Sequence, residues 1–119
     1  MAVARPHTTT WEGHYRCAQG ETALRLTIET EHDGLDATFD FGPLPENPSV
    51  PHGAYRMHGT ATRLGDGEYA VILSPTEWID HPNNYVMVGL QATTMHEHRL
   101  LRGTITYATC GEVELSRVR

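Results

Sequence analysis

The chain is poor in four things. It has no run of lysine and arginine, no long apolar stretch, no helix-spaced apolar stripe and only two cysteines. The first absence, with a net charge of −6 and a pI of about 5.7, argues against a general nucleic-acid binder or a binder of anionic membranes, because both need a basic surface. The second excludes a membrane-spanning helix: the longest apolar run is short, near Ala70 to Leu73. The opening "MAVARPHTTT" also lacks the apolar core of a signal peptide. Residues 1–10 therefore read as a loose leader, with a single domain over 11–119. The expected location is the cytoplasm, or outside the cell if a signal has been removed. The catalytic signatures G-x-S-x-G, P-loop, H-E-x-x-H and C-x-x-C are absent too, which lowers the case for an enzyme; no cofactor or metal is expected.

What is present is alternation with a period of two. In "TALRLTIET", Leu24, Leu26 and Ile28 face one way and Arg25, Thr27 and Glu29 the other. "LDATFDF" sets Leu35, Ala37, Phe39 and Phe41 against Asp36, Thr38 and Asp40, and "EVEL" repeats the scheme at Val113 and Leu115. This is the mark of strands with one buried face. Similar runs begin near Trp11, Ala54, Glu68, Tyr85 and Leu100, for roughly eight strands in all. Turn signals such as "EHDG", "RLGDG" and "MHEH" separate them. Glycines recur inside strands, and "MHGTAT" nearly repeats "LRGTIT"; tight coiling of a small barrel is one reason to place glycine there. The fold expectation is an all-β, up-and-down antiparallel barrel, with a β-sandwich as the alternative.

A meander sends successive loops to alternate ends. "EHDG", "RLGDG" and "MHEH" share one end. The other end receives Gln19–Gly20, the proline-rich "GPLPENPSVPHG", "SPTEWIDHPNN" and "ATCG". Long connections on a rigid scaffold are where binding residues tend to sit, so this second end is the expected mouth. Within it, Ser74, Pro75 and Glu77 fit a helix N-cap, first position and N3, which predicts a short helix near Pro75 to Asp80. That helix would carry Trp78 and Ile79, either as packing or as a lid over a ligand.

Candidate site residues follow. Trp78, Ile79, His52, Asn84, Tyr85 and Gln19 are expected to meet a ligand at the mouth. Glu77, Asp80 and His81, with Glu46 nearby, are candidates for general acid–base work. Cys17 ends the first strand and Cys110 begins the last, so a closed meander brings them together as a bridge or a thiol pair. The chain has eight histidines; His96 and His98 are too few for a zinc site and read as a solvated turn.

The segment "TWEGHYRCAQGETALRLTI", followed by Gly53-x-Tyr55, resembles the opening of small calycin-type barrels such as lipocalins, fatty-acid-binding proteins and avidins. The order Trp11-x-Gly13 reverses the lipocalin one, and no ligand residue is carried over. The resemblance implies a ligand-holding barrel. Three functions stay open. One is a non-enzymatic binding module for a small, largely apolar ligand or short peptide. A second is a small barrel cyclase, isomerase or hydrolase. The third is an accessory interaction domain with a core packed solid by Trp11, Phe39, Phe41 and Tyr55. No nucleic acid or membrane partner is expected, and a homodimer is left open.

Overall fold

Side chains spaced two apart along every strand turn inward here, and the sheet they line closes on itself. The computed structural model describes residues 7–119. Among them eight strands follow in order: β1 (His7–Cys17), β2 (Gly20–Glu31), β3 (Gly34–Gly42), β4 (Gly53–Arg63), β5 (Tyr69–Asp80), β6 (Leu90–Met95), β7 (Leu100–Ile105) and β8 (Glu112–Arg117). Each strand pairs antiparallel with the next. β1 returns to pair with β8, from Trp11 opposite Arg117 to Tyr15 opposite Val113, so the result is a closed barrel and not a sandwich. Of the expected leader, residues 1–6 lie outside the described residues. Residues 7–10 belong to β1 and pair with β2 from Thr30 to Thr27.

The interior follows the alternation. Leu24, Leu26 and Ile28 of β2 and Leu35, Ala37, Phe39 and Phe41 of β3 are all buried. The barrel's waist is solid: Leu26, Phe39, Met57, Leu73, Leu90, Val113 and Leu115 are each at most 2% exposed. Phe39 stacks on Tyr55 at 4.7 Å. Burial of such side chains contributes roughly 1.5–3 kcal/mol apiece. A cavity remains at each end of this plug. The glycines of the near-repeat have a steric reason. A Cβ on Gly59 would strike the carbonyl of Ile72, and one on Gly103 that of Gln91, both on the neighbouring strand. Coiling this tight brings backbones closer than a side chain permits.

The helix expected near Pro75 to Asp80 does not form. That stretch continues β5 and pairs with β4 through two register shifts, so that Thr76 and Ile79 have no partner residue. The capping signature is a local signal, worth about 1 kcal/mol. Ranged against it are Thr, Trp and Ile, which favour strands, and the backbone groups of β4 from Ala54 to His58, which need partners. Pro75 is tolerated because β5 pairs with β6 only from Ala70 to Leu73, so the later part of β5 is paired on one side. The bulges also change parity. Leu73 and Pro75 share the inner side; the extra residue Thr76 then turns Glu77 outward and Trp78 inward. The strand expected to start near Tyr85 begins at Leu90, because the bulged half of β5 offers residues 85–89 no ladder. Those residues cross the mouth as irregular chain, tied by the Thr106 amide donating to Gly89 O at 2.9 Å.

Candidate functional site

The strand parity that fills the waist also delivers the mouth. On β1, Tyr15 and Cys17 follow Trp11 and Gly13 on the inward side, so the phenol of Tyr15 rises out of the core toward the long loops. It meets Phe41 from the end of β3, Tyr55 from the start of β4, and the crossing chain at Tyr85, Val86 and Val88. Tyr107 and Thr109 of the β7–β8 connection close the circle. These residues, with Gln19 and Asn84, line a cavity of about 510 Å³.

The wall is held at several points. Tyr55 spans the mouth: its hydroxyl donates to Val88 O at 2.8 Å and accepts from the Val88 amide at 3.0 Å. Asn47, in the β3–β4 loop, donates through Nδ2 to Gln19 O at 2.8 Å and Glu21 O at 2.9 Å, which fastens that loop to the β1–β2 turn. Gln19 Nε2 donates to Thr22 Oγ1 at 3.0 Å. Cys17 and Cys110 form a disulfide with their Cα atoms 3.9 Å apart, and Gly111 N donates to Arg16 O beside it. The two cysteines expected to meet as a bridge or a thiol pair are therefore bridged, although Cys110 lies just before β8. Asn84 adopts a left-handed conformation at φ 67°, which its side chain tolerates.

Electrostatically the cavity is neutral. Among the described residues no carboxylate, imidazole or guanidinium lines it. Burial pushes the pKa of Tyr15 well above the ordinary phenol value; nearby Tyr85 adds to the rise, and hydrogen bonds with Gln19 and Thr22 oppose it. Tyr55 is raised as well, by burial first, against its hydrogen bond with Val88. Both phenols are un-ionised hydrogen-bonding groups at neutral pH.

Three of the six residues expected to meet a ligand line this cavity, Gln19, Asn84 and Tyr85, and the Cys17–Cys110 bridge lines it too. Trp78 does not. It stands behind the wall, with its ring 5.3 Å from Tyr55 and 6.5 Å from Phe41, and its outer side is covered by His81, stacked at 4.0 Å. Ile79 is a bulge residue, 54% exposed. His52 lies against Gly42 in a shallow outer hollow with Glu12, Arg25 and Asp40. The acid–base candidates are not brought together around a cavity. Glu77 faces outward to Arg56 at 3.4 Å, Asp80 and Glu46 are exposed, and His81 Nε2 lies 2.9 Å from Tyr85 O. Among the described residues no group of three or more His, Cys, Asp or Glu can hold a metal ion.

No family model, no curated protein and no solved structure matches this chain. Its closed eight-stranded antiparallel architecture is compatible with a calycin-type barrel, and the resemblance extends no further than that. The lining residues that were not expected to meet a ligand are Tyr15, Ala18, Phe41, Tyr55, Val86, Val88, Tyr107 and Thr109, of which Phe41 and Tyr55 were expected only as core packing. For Tyr15, the inward parity of Trp11, Gly13 and Cys17 is a usable signal. For Val86 and Val88 no local signal exists, since their place depends on where β6 starts.

Proposed function

We propose that this protein is a non-enzymatic binding module that holds a small, uncharged, largely apolar ligand at the mouth of the barrel. The observation that carries the reading is the lining: phenyl and phenol faces, two side-chain amides, and no ionised group among the described residues. A volume of about 510 Å³ lies within the common range for small-molecule sites. Tyr85 and Tyr107 supply ring faces, while Gln19 and Asn84 supply donors and acceptors that orient a polar edge. A short peptide fits less well, because the β5 edge beside the mouth is broken by a proline and two bulges, which oppose strand addition. The carboxylates and His81 outside the cavity leave no proton-transfer pair facing a bound molecule. The disulfide supports residence in an oxidising compartment over the cytoplasm.

The test is an NMR titration with indole as a neutral probe. Saturable shifts are expected at the amides of Gln19, Asn84, Tyr107 and Thr109. Tyr85→Ala should weaken binding about three- to tenfold, the worth of one aromatic pair. Shifts scattered over the surface, or none, would end the reading. Trp78→Phe tests the lid separately: unchanged affinity assigns Trp78 to packing alone.

A further inference from the structure

The end of the barrel opposite the mouth holds a second cavity, of about 390 Å³, between the short turns. Its floor is apolar: Trp11, Ile28, Leu35, Val71 and Leu101, each at most 6% exposed. Its upper wall is polar and basic, with Thr9, Thr30, His7, His98 and Arg117. No carboxylate lines it among the described residues, in a chain with fifteen acidic residues.

The nearby carboxylate, Glu68, is consumed by structure. It accepts from Thr94 Oγ1 at 2.8 Å, from Glu97 N at 3.1 Å and from His98 N at 3.2 Å. These bonds hold three consecutive non-glycine residues, His96, Glu97 and His98, in the left-handed region at φ 53°, 58° and 65°. Such a run is strained and persists only where surrounding contacts over-determine it. The outcome is a fixed imidazole. His98 Nε2 donates to Gly67 O at 2.9 Å and lies 3.4 Å from Glu68 Oε1. This ring is already matched to a carboxylate, so the unmatched charge of the wall is that of Arg117. The ring lies 5.4 Å from Tyr69 on the cavity wall. Two further donors point to an anion. Thr9 Oγ1 accepts from Trp11 Nε1 at 2.9 Å, which leaves its own proton to give. Arg117 gives Nε to an oxygen of the last residue, Arg119 O, at 3.0 Å; among the described residues no Asp or Glu pairs with it, which leaves its two terminal NH2 groups to meet an anion.

We infer that this cavity is a second binding site, for a small aromatic carboxylate, with the ring on the floor of Trp11 and Leu101 and the carboxylate at Arg117 and Thr9. An apolar pocket with one basic edge is the complement of that chemistry. The site shares no residue with the mouth, so either reading survives the failure of the other.

The chain has two tryptophans, so Trp78→Phe leaves Trp11 as the sole indole, inside the cavity in question. Titrating this variant with phenylacetate should change its emission saturably. Phenylacetamide, of the same shape without the charge, should bind at least about tenfold more weakly, and Arg117→Gln should bring phenylacetate down to the amide's affinity. Equal affinities for acid and amide overturn the inference, as does an Arg117→Gln variant that binds phenylacetate unchanged. NMR on the unaltered chain gives an independent reading: phenylacetate should shift the Thr9 and Thr30 amides. Shifts at Gln19 and Asn84 instead overturn the assignment.

Discussion

The two ends of the barrel solve the same problem in opposite ways. Both must stop the core at a boundary with water while leaving a hollow. The mouth does it with long connections and distant ties: a disulfide, the Tyr55 bridge to Val88, and Asn47 fastened to the β1–β2 turn. The other end does it with short turns and one carboxylate, Glu68, that holds a strained turn in place. Long loops carry somewhat more closure entropy, about 0.6 kcal/mol per doubling of length, and here cross-links fix their conformation. Short turns carry little, and can spend stability on an unfavourable backbone instead. The mouth's neutral phenol lining and the far end's basic edge are the chemical counterparts of that difference.

Removing the disulfide should have the largest effect. Cys17→Ser with Cys110→Ser frees a loop of 93 residues, which in the loop-entropy model costs about 4–5 kcal/mol of stability. An unfolding free energy from urea titration that falls by less than a quarter of that would show the mouth to be held by its hydrogen bonds.

Alkali should come next. Tyr15 and Tyr55 have raised pKa values in the folded chain, so they retain protons that the unfolded chain releases above the ordinary phenol value of about 10. Stability from this source is intact below pH ~10 and then falls by about 1.4 kcal/mol per pH unit for each phenol. Denaturant titrations at stepped pH, compared with Tyr15→Phe, measure the slope; a flat profile above pH ~10 contradicts the buried placement of both rings.

Tyr55→Phe is expected to cost about 2 kcal/mol, because it strands the buried N–H and C=O of Val88 while leaving the stack on Phe39. Hydrogen exchange at Val88 should quicken more than exchange at the waist.

The smallest effect has the opposite sign and belongs to the other end. Glu97 is exposed and left-handed, and its amide, which donates to Glu68, survives substitution by glycine. Glu97→Gly should therefore stabilise the chain by about 0.5–1 kcal/mol in thermal melts. A loss would mean that the turn is not strained, and with it the contrast between the ends would disappear.

Much of this was legible in advance. Alternation names the inward residues of β2, β3 and β8 correctly, because a side-chain period of two is a property of each strand alone. The count of strands, the division of loops between two ends and the pairing of Cys17 with Cys110 follow from turn spacing in a meander. The segment "SPTEWIDHPNNY" was not legible. Its capping signature is sound chemistry, yet the backbone needs of β4 outweighed it, and the bulge at Thr76 turned Trp78 inward as a buttress. The site was half legible: Gln19, Asn84 and Tyr85 line the mouth, whereas Tyr107 arrives from the distant β7–β8 connection and Val88 lines it only because β6 starts at Leu90.

The sequence by itself determined the strands, their buried faces and which loops share an end, since these depend on patterns a few residues long. The tertiary structure alone decided that the barrel closes around a solid waist and that one hollow is neutral and the other basic. It also decided that Glu68 serves a turn 30 residues away. Those outcomes rest on contacts between segments brought together only by closure. Their energies exceed the local preferences that a short stretch of chain can express.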